Sequence, residues 1–272
     1  MLSERPWKLE AVLALLAGLV VGWSALNLSA IGVTQLALHK NSPNRLFEFI
    51  ISSFSFYIVA LVLIHFFLRF HGATWNDLFG FRKLRWQSIA AALAAAVVFL
   101  PAGLALKKLS AVLLTKVGLN PVEQTSMQAL ELSVSLGQKI VFGIAALLLA
   151  PIVEESLFRG ILYPVVKQQG YPKLALFGSS VAFAAIHTNL VTFLPLFLLA
   201  LVFVFLLEIT DALLAPVIAH SCFNGINFAV YVTGTDVMDW WKGLMRAIRH
   251  ALPSVQHLVE TLCPALCRVL LP

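Results

Sequence analysis

The sequence predicts an all-α fold, a polytopic transmembrane helix bundle of about seven spans (six to eight), with interfacial helices. The 272 residues are 60% hydrophobic and 12% charged, with a mean hydropathy of +0.90, whereas a soluble domain has about 25% charged residues. The apolar runs approach the roughly 20 residues that a helix needs to cross a bilayer, and they lack the alternation of a membrane β-barrel. This composition excludes a disordered chain and argues against a soluble globular protein.

Seven apolar segments are predicted to cross the membrane. The first follows Arg5 and Lys8 and is too long for the core of a signal peptide, so we interpret it as an uncleaved span. The chain divides into an N-terminal part, 1–137, a part with the polar clusters described below, 138–232, and a tail, 233–272. The predicted spans are 11–32, 48–69, 88–106, 138–165, 173–187, 190–208 and 212–232.

Two stretches outside these spans are predicted to lie at the membrane surface. Residues 107–137 contain Gly, Asn and Pro among charged residues, which indicates short interfacial helices and loop. In the tail, Trp240 and Trp241 lie at helical spacing opposite Lys242 and Arg246, a pattern typical of an amphipathic helix in the interface. The alternative is a helix packed on the bundle.

The net charge of +6 indicates attraction to lipid headgroups. No basic cluster with interleaved aromatic residues stands outside the apolar runs, so no nucleic-acid partner is expected. Basic residues are densest in the loops 1–10, 70–86 and 166–173. Because basic loops tend to remain in the cytoplasm, the sequence predicts a cytoplasmic N-terminus.

The fourth apolar segment contains three charged residues, Glu154, Glu155 and Arg159. Each ionisable side chain at membrane depth costs about 2.5 to 3.5 kcal/mol, which favours a functional role. Glu155 and Arg159 are four residues apart in the favoured order for a helical ion pair. Their pairing leaves Glu154 free to face a cavity. The alternative is a span that ends near residue 153, with all three charges among the headgroups.

Two further polar clusters lie in apolar segments. His187 follows Phe183 by four residues, and His220 and Asn224 are also four apart, which puts them on one helix face. At about 1.5 Å per residue from the connecting turns, Glu154 and His187 lie roughly 20 Å deep, and Asn224 lies roughly 18 Å deep. These depths predict one enclosed polar site. The alternatives are a hydrogen-bonded core histidine and a polar clasp between helices.

Three motifs occur in order inside apolar segments: Glu-Glu-x-x-x-Arg at 154–159, Phe-x-x-x-His at 183–187 and His-x-x-x-Asn at 220–224. Together they resemble the CPBP family, the CAAX protease and bacteriocin-processing (Abi) group of intramembrane endopeptidases, over about residues 140–230. The resemblance implies a multi-pass membrane peptidase, similar to type II CAAX prenyl proteases, in a prokaryotic plasma membrane. It implies a peptide or protein substrate at the lipid bilayer. The implied catalytic residues are Glu154, His187, His220 and Asn224, supported by Glu155, Arg159 and Phe183.

Peptide hydrolysis needs an activated water, a stabilised oxyanion and a proton for the leaving amine. Glu154 is the candidate general base, and His187 could hold the same water. His220 and Asn224 could donate hydrogen bonds to the oxyanion. These residue types at these depths therefore suit attack by a Glu/His-activated water.

The metal dependence stays open at this point. Glu154, His187 and His220 form a donor set that a catalytic zinc ion often uses, so they are the candidate metal ligands. The sequence nevertheless lacks a His-Glu-x-x-His pair on one helix. We therefore favour a site without a metal cofactor and keep zinc as the alternative.

Two other functions compete with a peptidase. A non-enzymatic membrane protein could use the same site to bind a peptide, as an immunity or scaffold protein. A transporter could use intramembrane carboxylates and histidines to relay protons, although the chain shows no internal repeat. Replacement of Glu154 by Gln distinguishes a peptidase from a peptide-binding protein, because the enzyme would lose turnover and the binding protein would keep its function.

Overall fold

The structure, a computed structural model, describes residues 5–38 and 45–251, and these residues form helices and turns without a β-strand. The predicted all-α membrane bundle is confirmed. A 3-10 turn, Phe81–Lys83, precedes the fourth helix. The helices of the described residues are α1 (Leu9–Leu38), α2 (Arg45–Phe70), α3 (Trp75–Phe79), α4 (Trp86–Lys116), α5 (Thr125–Glu131), α6 (Leu136–Gln168), α7 (Pro172–Ala185), α8 (Leu190–Thr210), α9 (Leu214–Thr233) and α10 (Val237–Ala251).

Each of the seven predicted spans is a helix, but they are not equally suited to lipid. Within the described ranges, α1, α2, α4, α6 and α8 are the five helices long and apolar enough to cross a membrane. The remaining two are α7 and α9. With 14 residues, α7 is only about 21 Å long. The polar side chains of His220, Asn224 and Asn227 interrupt the apolar sequence of α9. A count of spans from long apolar helices alone therefore omits a helix such as α9, whose polar side chains face the interior of the bundle.

The helix ends define two faces of the bundle. On the N-terminal face, the backbone N–H of Lys8 contacts His71 after α2, and Lys83 forms a 2.6 Å ion pair with Asp211 after α8. On the opposite face, Lys107 of α4 forms a 2.7 Å ion pair with Glu123. The chain therefore begins on one face, and α4 and α9 both run from that face to the other.

A glycine lets the α3 turn pack against the end of α8. Gly80 ends α3 with a φ of +68°, in the left-handed region that favours glycine. A Cβ atom there would lie 3.1 Å from the Cα of Ala212. At the start of α3, Thr74 donates side-chain and backbone hydrogen bonds to Asp77, which hold the pKa of this exposed carboxyl below its ordinary value. The turn thus fixes one end of α4 beside α8.

The region 107–137, predicted as interfacial helices and loop, differs in its boundaries. α4 continues to Lys116, about ten residues past the predicted end at 106. Its continuation follows from Leu109, Val112 and Leu113, which extend the helical pattern and leave no breaker before Gly118. Only the short helix α5 then lies between α4 and α6.

The predicted tail helix is present as α10. It contacts α4 and α9, and the Trp241 side chain is buried. At least one side of α10 therefore packs on the bundle, as the alternative interpretation expected. Residues 252–272 of the predicted tail, with Cys263 and Cys267, lie outside the described residues.

Helix α8 lies in the core of the bundle and packs against α4, α7 and α9. Its sequence is apolar on all sides, which is typical of a helix surrounded by other helices. The side chains of Leu199, Phe203 and Leu207 are almost fully buried. This helix provides the apolar wall behind the polar clusters.

Two π-helical stretches interrupt α6, one at Ala145–Leu149 and one at Ser156–Leu162. Each is followed within two residues by a proline, Pro151 or Pro164. A proline has no N–H to donate to the preceding turn, which disturbs the α-helical hydrogen-bond pattern. The π-helical stretches flank Glu154 and Glu155, in keeping with the frequent occurrence of such stretches at functional sites.

Candidate active site

A cavity of about 390 Å³ lies among α2, α4, α5, α6, α8 and α9. Its wall is mostly apolar and aromatic. Lys107 and Glu123, both partly exposed, line its mouth on the opposite face. The polar residues along the wall are Ser53, Tyr57, Lys107, Glu123, Gln124, Ser126, Glu154, His187, Thr192, His220, Asn224 and Asn227.

Glu154 is the point at which the histidines of two helices converge. Its Oε2 lies 4.0 Å from Nε2 of His187 and 3.9 Å from Nε2 of His220. The Glu154 side chain is 13% exposed, and its Oε2 has no hydrogen-bond partner within residues 5–38 and 45–251. An unpartnered buried carboxylate oxygen is costly, so this atom is positioned to bind a water or a substrate group.

The end of α7 orients His187. Its Nδ1 lies 2.8 Å from the carbonyl oxygen of Phe183, one turn earlier. A carbonyl only accepts hydrogen bonds, so Nδ1 carries the proton, and Nε2 of the neutral ring is an acceptor that faces Glu154. The helix ends at Ala185, and Thr188 adopts a φ of +49°. The Phe-x-x-x-His spacing therefore sets the tautomer of the histidine.

A buried ion pair lies behind the cavity wall. Arg159 donates to Oε1 of Glu155 at 3.1 Å and to the carbonyl oxygen of Ala200 at 3.1 Å. Both charged side chains are fully buried. The guanidinium carbon lies 4.3 Å from the ring centroid of Phe183 and 5.2 Å from that of Phe203. Hydrogen bonds and cation–π contacts thus compensate for the removal of this charge from water.

His220 connects the ion pair to the cavity. Its Nδ1 lies 2.8 Å from Oε1 of Glu155, the same oxygen that accepts from Arg159. The carboxylate therefore holds the proton of His220 on Nδ1, and Nε2 faces Glu154. The ring stacks on Phe203 with a centroid distance of 5.1 Å and an interplanar angle of 24°. These contacts leave the imidazole little freedom to rotate.

Asn224 lies one turn beyond His220 and lines the same cavity. Its Nδ2 donates to the carbonyl oxygen of Ala146 at 2.9 Å. In the π-helical register this carbonyl would accept from residue 151, which is a proline without an N–H. The Asn224 amide compensates for this lost partner with one of its two N–H groups. The second N–H is available to the cavity.

The structure brings the four predicted catalytic residues, Glu154, His187, His220 and Asn224, to one cavity. The three predicted supporting residues pack directly behind them. The alternative with a span that ends near residue 153 is wrong, because α6 continues to Gln168 and Glu155 and Arg159 are fully buried within the bundle.

Glu154, His187 and His220 provide the types of donor atom that a zinc ion binds. Two ligands of a tetrahedral zinc ion, each about 2.0–2.2 Å from the metal, stand about 3.4 Å apart. Glu154 Oε2 lies 3.9–4.0 Å from the two imidazole nitrogens, which is longer. Within the part of the chain that the structure describes, no group of three His, Cys, Asp or Glu side chains has the arrangement of a metal site. The donor types suit zinc, but their separations in this structure do not.

The segment that contains these residues matches a known protein family. Residues 136–226, about a third of the chain, match the family described as Rce1-like, type II CAAX prenyl endopeptidase. This segment is similar to an Rce1-like domain. The Rce1-like family is a protease family, and the predicted resemblance to the CPBP group is confirmed. No curated protein and no solved structure matches the chain.

The matched segment contains α6, α7, α8 and most of α9, and with them all seven predicted site residues. The chain is a multi-pass membrane protein. Helices α1 to α5 lie outside the matched segment, yet α2, α4 and α5 line part of the cavity. The site is therefore completed by residues that the family match does not cover.

Sequence reasoning missed three contributors to the site. Phe203 stacks on His220, and Ala200 accepts from Arg159 through its main chain, but both lie in an apolar run without a distinguishing signal. Tyr57 lines the cavity from α2. Its hydroxyl in the middle of a predicted span was a signal that could have marked it.

Proposed function

We propose that this protein is an intramembrane endopeptidase in which Glu154 activates a water for attack on a peptide bond. The convergence of His187 and His220 on the free oxygen of Glu154 carries the proposal. The match of residues 136–226 to a protease family supports it.

The water lies between Glu154 and His187. Two acceptors that each take a hydrogen bond from one water stand roughly 4 to 4.5 Å apart. Oε2 of Glu154 and Nε2 of His187 are 4.0 Å apart. Both atoms are acceptors, so the water donates its two hydrogens to them and its lone pair faces the substrate. As the water oxygen bonds to the carbonyl carbon, one proton passes to Glu154.

Asn224 and His220 face the carbonyl oxygen as it becomes an oxyanion. Asn224 donates its second N–H. When His220 carries a proton on both ring nitrogens, its Nε2 donates as well, while Nδ1 keeps its 2.8 Å contact with Glu155. Glu154 then transfers its proton to the leaving nitrogen, the C–N bond breaks, and an acid and an amine result.

The ion pair of Glu155 and Arg159 positions this machinery without contact to the substrate. Arg159 offsets the charge of Glu155 and connects it to the main chain of α8. Phe183 supports Arg159 through its ring and His187 through its carbonyl. These three residues therefore act through the two histidines.

The proposed reaction runs without a metal ion. Every step uses a carboxylate, an imidazole or an amide of this chain. The distances from Oε2 of Glu154 to Nε2 of His187 and of His220 are longer than those between two ligands of a zinc ion.

We further propose that the N-terminus is cytoplasmic, because basic residues are dense on the N-terminal face. The cavity mouth at Lys107 and Glu123 then faces the other side of the membrane. Peptides would enter from that side or from the bilayer. The aromatic wall favours an apolar segment next to the scissile bond.

Purified protein in lipid nanodiscs tests the proposed function. The family description suggests a quenched-fluorescent peptide that ends in Cys-aliphatic-aliphatic-X, with and without a farnesyl group on the cysteine. We expect Glu154→Gln to lower kcat by about 10³-fold or more, because the general base is lost. The control is Glu131→Gln, a change of the same chemistry at an exposed position of α5. Equal turnover by Glu154→Gln and the wild type would contradict an enzyme. Unchanged peptide binding without turnover in either protein would indicate a peptide-binding protein.

A further inference from the structure

The site described above is rich in acceptors and poor in donors. The Nδ1 proton of His187 is held by Phe183, and that of His220 is held by Glu155. With neutral imidazoles, Nε2 of both rings and the carboxylate of Glu154 can only accept. One N–H of Asn224 is used by the main chain of α6.

This count leaves one donor, the second N–H of Asn224, for the oxyanion of the neutral site. Oxyanion sites commonly provide two or more donors, and each one matters because it acts in a water-poor environment. A second donor that needs no additional proton would complete the site.

Helix α2 brings a phenol to the same depth. Phe49 of α2 stacks on Phe142 of α6 with a centroid distance of 6.1 Å, and both helices run toward the N-terminal face. Tyr57 lies eight residues after Phe49 on α2, and Ala150 lies eight residues after Phe142 on α6, about 12 Å along each helix. Ala150 is one turn before Glu154. Contacts between α2 and the Ala150–Glu155 part of α6 agree with this register.

Tyr57 lines the cavity together with Glu154, His187, His220 and Asn224. Its ring packs edge-on against Phe56, with a centroid distance of 5.8 Å. Within the described ranges its hydroxyl makes no hydrogen bond, whereas the hydroxyl of Tyr163 on α6 donates to Glu208. A half-buried phenol on a polar cavity without a protein partner is available to a ligand.

We propose that the Tyr57 hydroxyl donates a hydrogen bond to the oxyanion, from the wall of the cavity that faces Asn224 across the substrate. This proposal rests on the proposed function, and it adds a catalytic residue from outside the segment that matches the family. No proton is transferred to or from Tyr57 in this role, because the phenol remains neutral and only its hydrogen bond strengthens as the oxyanion forms.

The test compares Tyr57→Phe with the wild type in nanodiscs on the same quenched-fluorescent peptides. The substitution removes one oxygen and keeps the ring packing. We expect kcat to fall by about 10²-fold, the usual effect of one oxyanion donor, with little change in KM. The matched control is Tyr231→Phe on α9, whose half-buried ring contacts the cluster of Phe142 rather than the cavity; its kcat should stay at the wild-type level.

A second measurement separates a catalytic from a structural role. A peptide with a tetrahedral phosphinate at the scissile bond mimics the oxyanion, and an uncleavable reduced-amide peptide mimics the ground state. We expect Tyr57→Phe to weaken phosphinate binding by the same factor as kcat/KM, and to leave binding of the reduced-amide peptide unchanged. Equal weakening of both ligands would indicate a packing defect and overturn the proposal.

The two proposals fail in different ways. Wild-type activity that is absent, or retained in Glu154→Gln, contradicts the peptidase itself. Loss of activity in Glu154→Gln with full kcat in Tyr57→Phe leaves the peptidase in place and overturns only the role of Tyr57.

Discussion

Asn224 donates a hydrogen bond of 2.9 Å to the main-chain carbonyl of Ala146. The carbonyl lacks a helical donor because the residue in register is a proline. Pro151 thus leaves a carbonyl of α6 without a helical donor, and the side chain of Asn224 on α9 donates to it instead. The contact joins two helices that line the cavity and orients the amide to which the proposed reaction assigns a hydrogen bond to the oxyanion.

We expect Asn224→Asp to lose both functions of this amide. A carboxylate cannot donate to the carbonyl of Ala146 and would repel the oxyanion, so kcat should fall by about 10²-fold or more and the melting temperature should drop. The measurements are peptidase kinetics and thermal unfolding in nanodiscs. Asn76→Asp is the control, because Asn76 is an exposed residue of α3 that does not line the cavity. Equal loss of activity in both variants would contradict the assigned contact.

Arg159→Leu should destabilise the protein strongly. It leaves the buried carboxylate of Glu155 without its cationic partner, and rupture of such a pair costs about 3–5 kcal/mol. The double variant with Glu155→Gln removes the uncompensated charge and should recover part of the stability. It should not recover activity, since His220 loses the carboxylate that holds its Nδ1 proton. Unfolding and turnover of the three proteins test this, and a double variant that regains full turnover would refute the positioning role.

The proposed reaction predicts insensitivity to chelators. Incubation with 1,10-phenanthroline should leave kcat unchanged, because the activated water is held by Glu154 and His187 alone. Metal analysis of the purified protein provides the independent measurement. Loss of turnover that added zinc restores would show that Glu154, His187 and His220 close around a metal in solution.

The proposed orientation predicts which positions a membrane-impermeant maleimide reaches. In a background with every cysteine replaced by serine, Asn120→Cys on the opposite face should be labelled in intact cells. Arg82→Cys on the N-terminal face should be labelled only after the membrane is opened. Both positions are exposed, so a reversed labelling pattern means that the cavity opens toward the cytoplasm.

Much of the helical architecture follows from local sequence. The fourth span was predicted over 138–165, and α6 covers Leu136–Gln168. The ion pair between Glu155 and Arg159 was predicted from a four-residue spacing and is present at 3.1 Å. Both predictions succeed because helical periodicity and the cost of lipid-exposed charge act within one segment.

Other features of the site could not be read from one segment. The π-helical stretches depend on how the freed carbonyls of α6 find partners elsewhere, such as Asn224 of α9. Phe203 occupies an ordinary position in an apolar run, and only helix packing places it against His220. The hydroxyl of Tyr57 is a polar signal in a predicted span, but only helix packing shows that this residue lines the cavity. The end of α4 was missed because Lys107 and Lys108 interrupt the apolar run, although the helical pattern resumes after them.

By itself, the sequence predicted a bundle of membrane helices and the acid, imidazoles and amide of the candidate site, since the cost of desolvation makes polar groups in apolar helices rare. The tertiary structure decided how these groups are oriented toward one cavity. The tautomers of His187 and His220 depend on acceptors that the fold places beside each Nδ1, on its own helix in one case and on a neighbouring helix in the other. Hydrogen bonds between helices depend on how the helices are oriented in three dimensions, and the spacing of residues along the sequence does not specify that orientation.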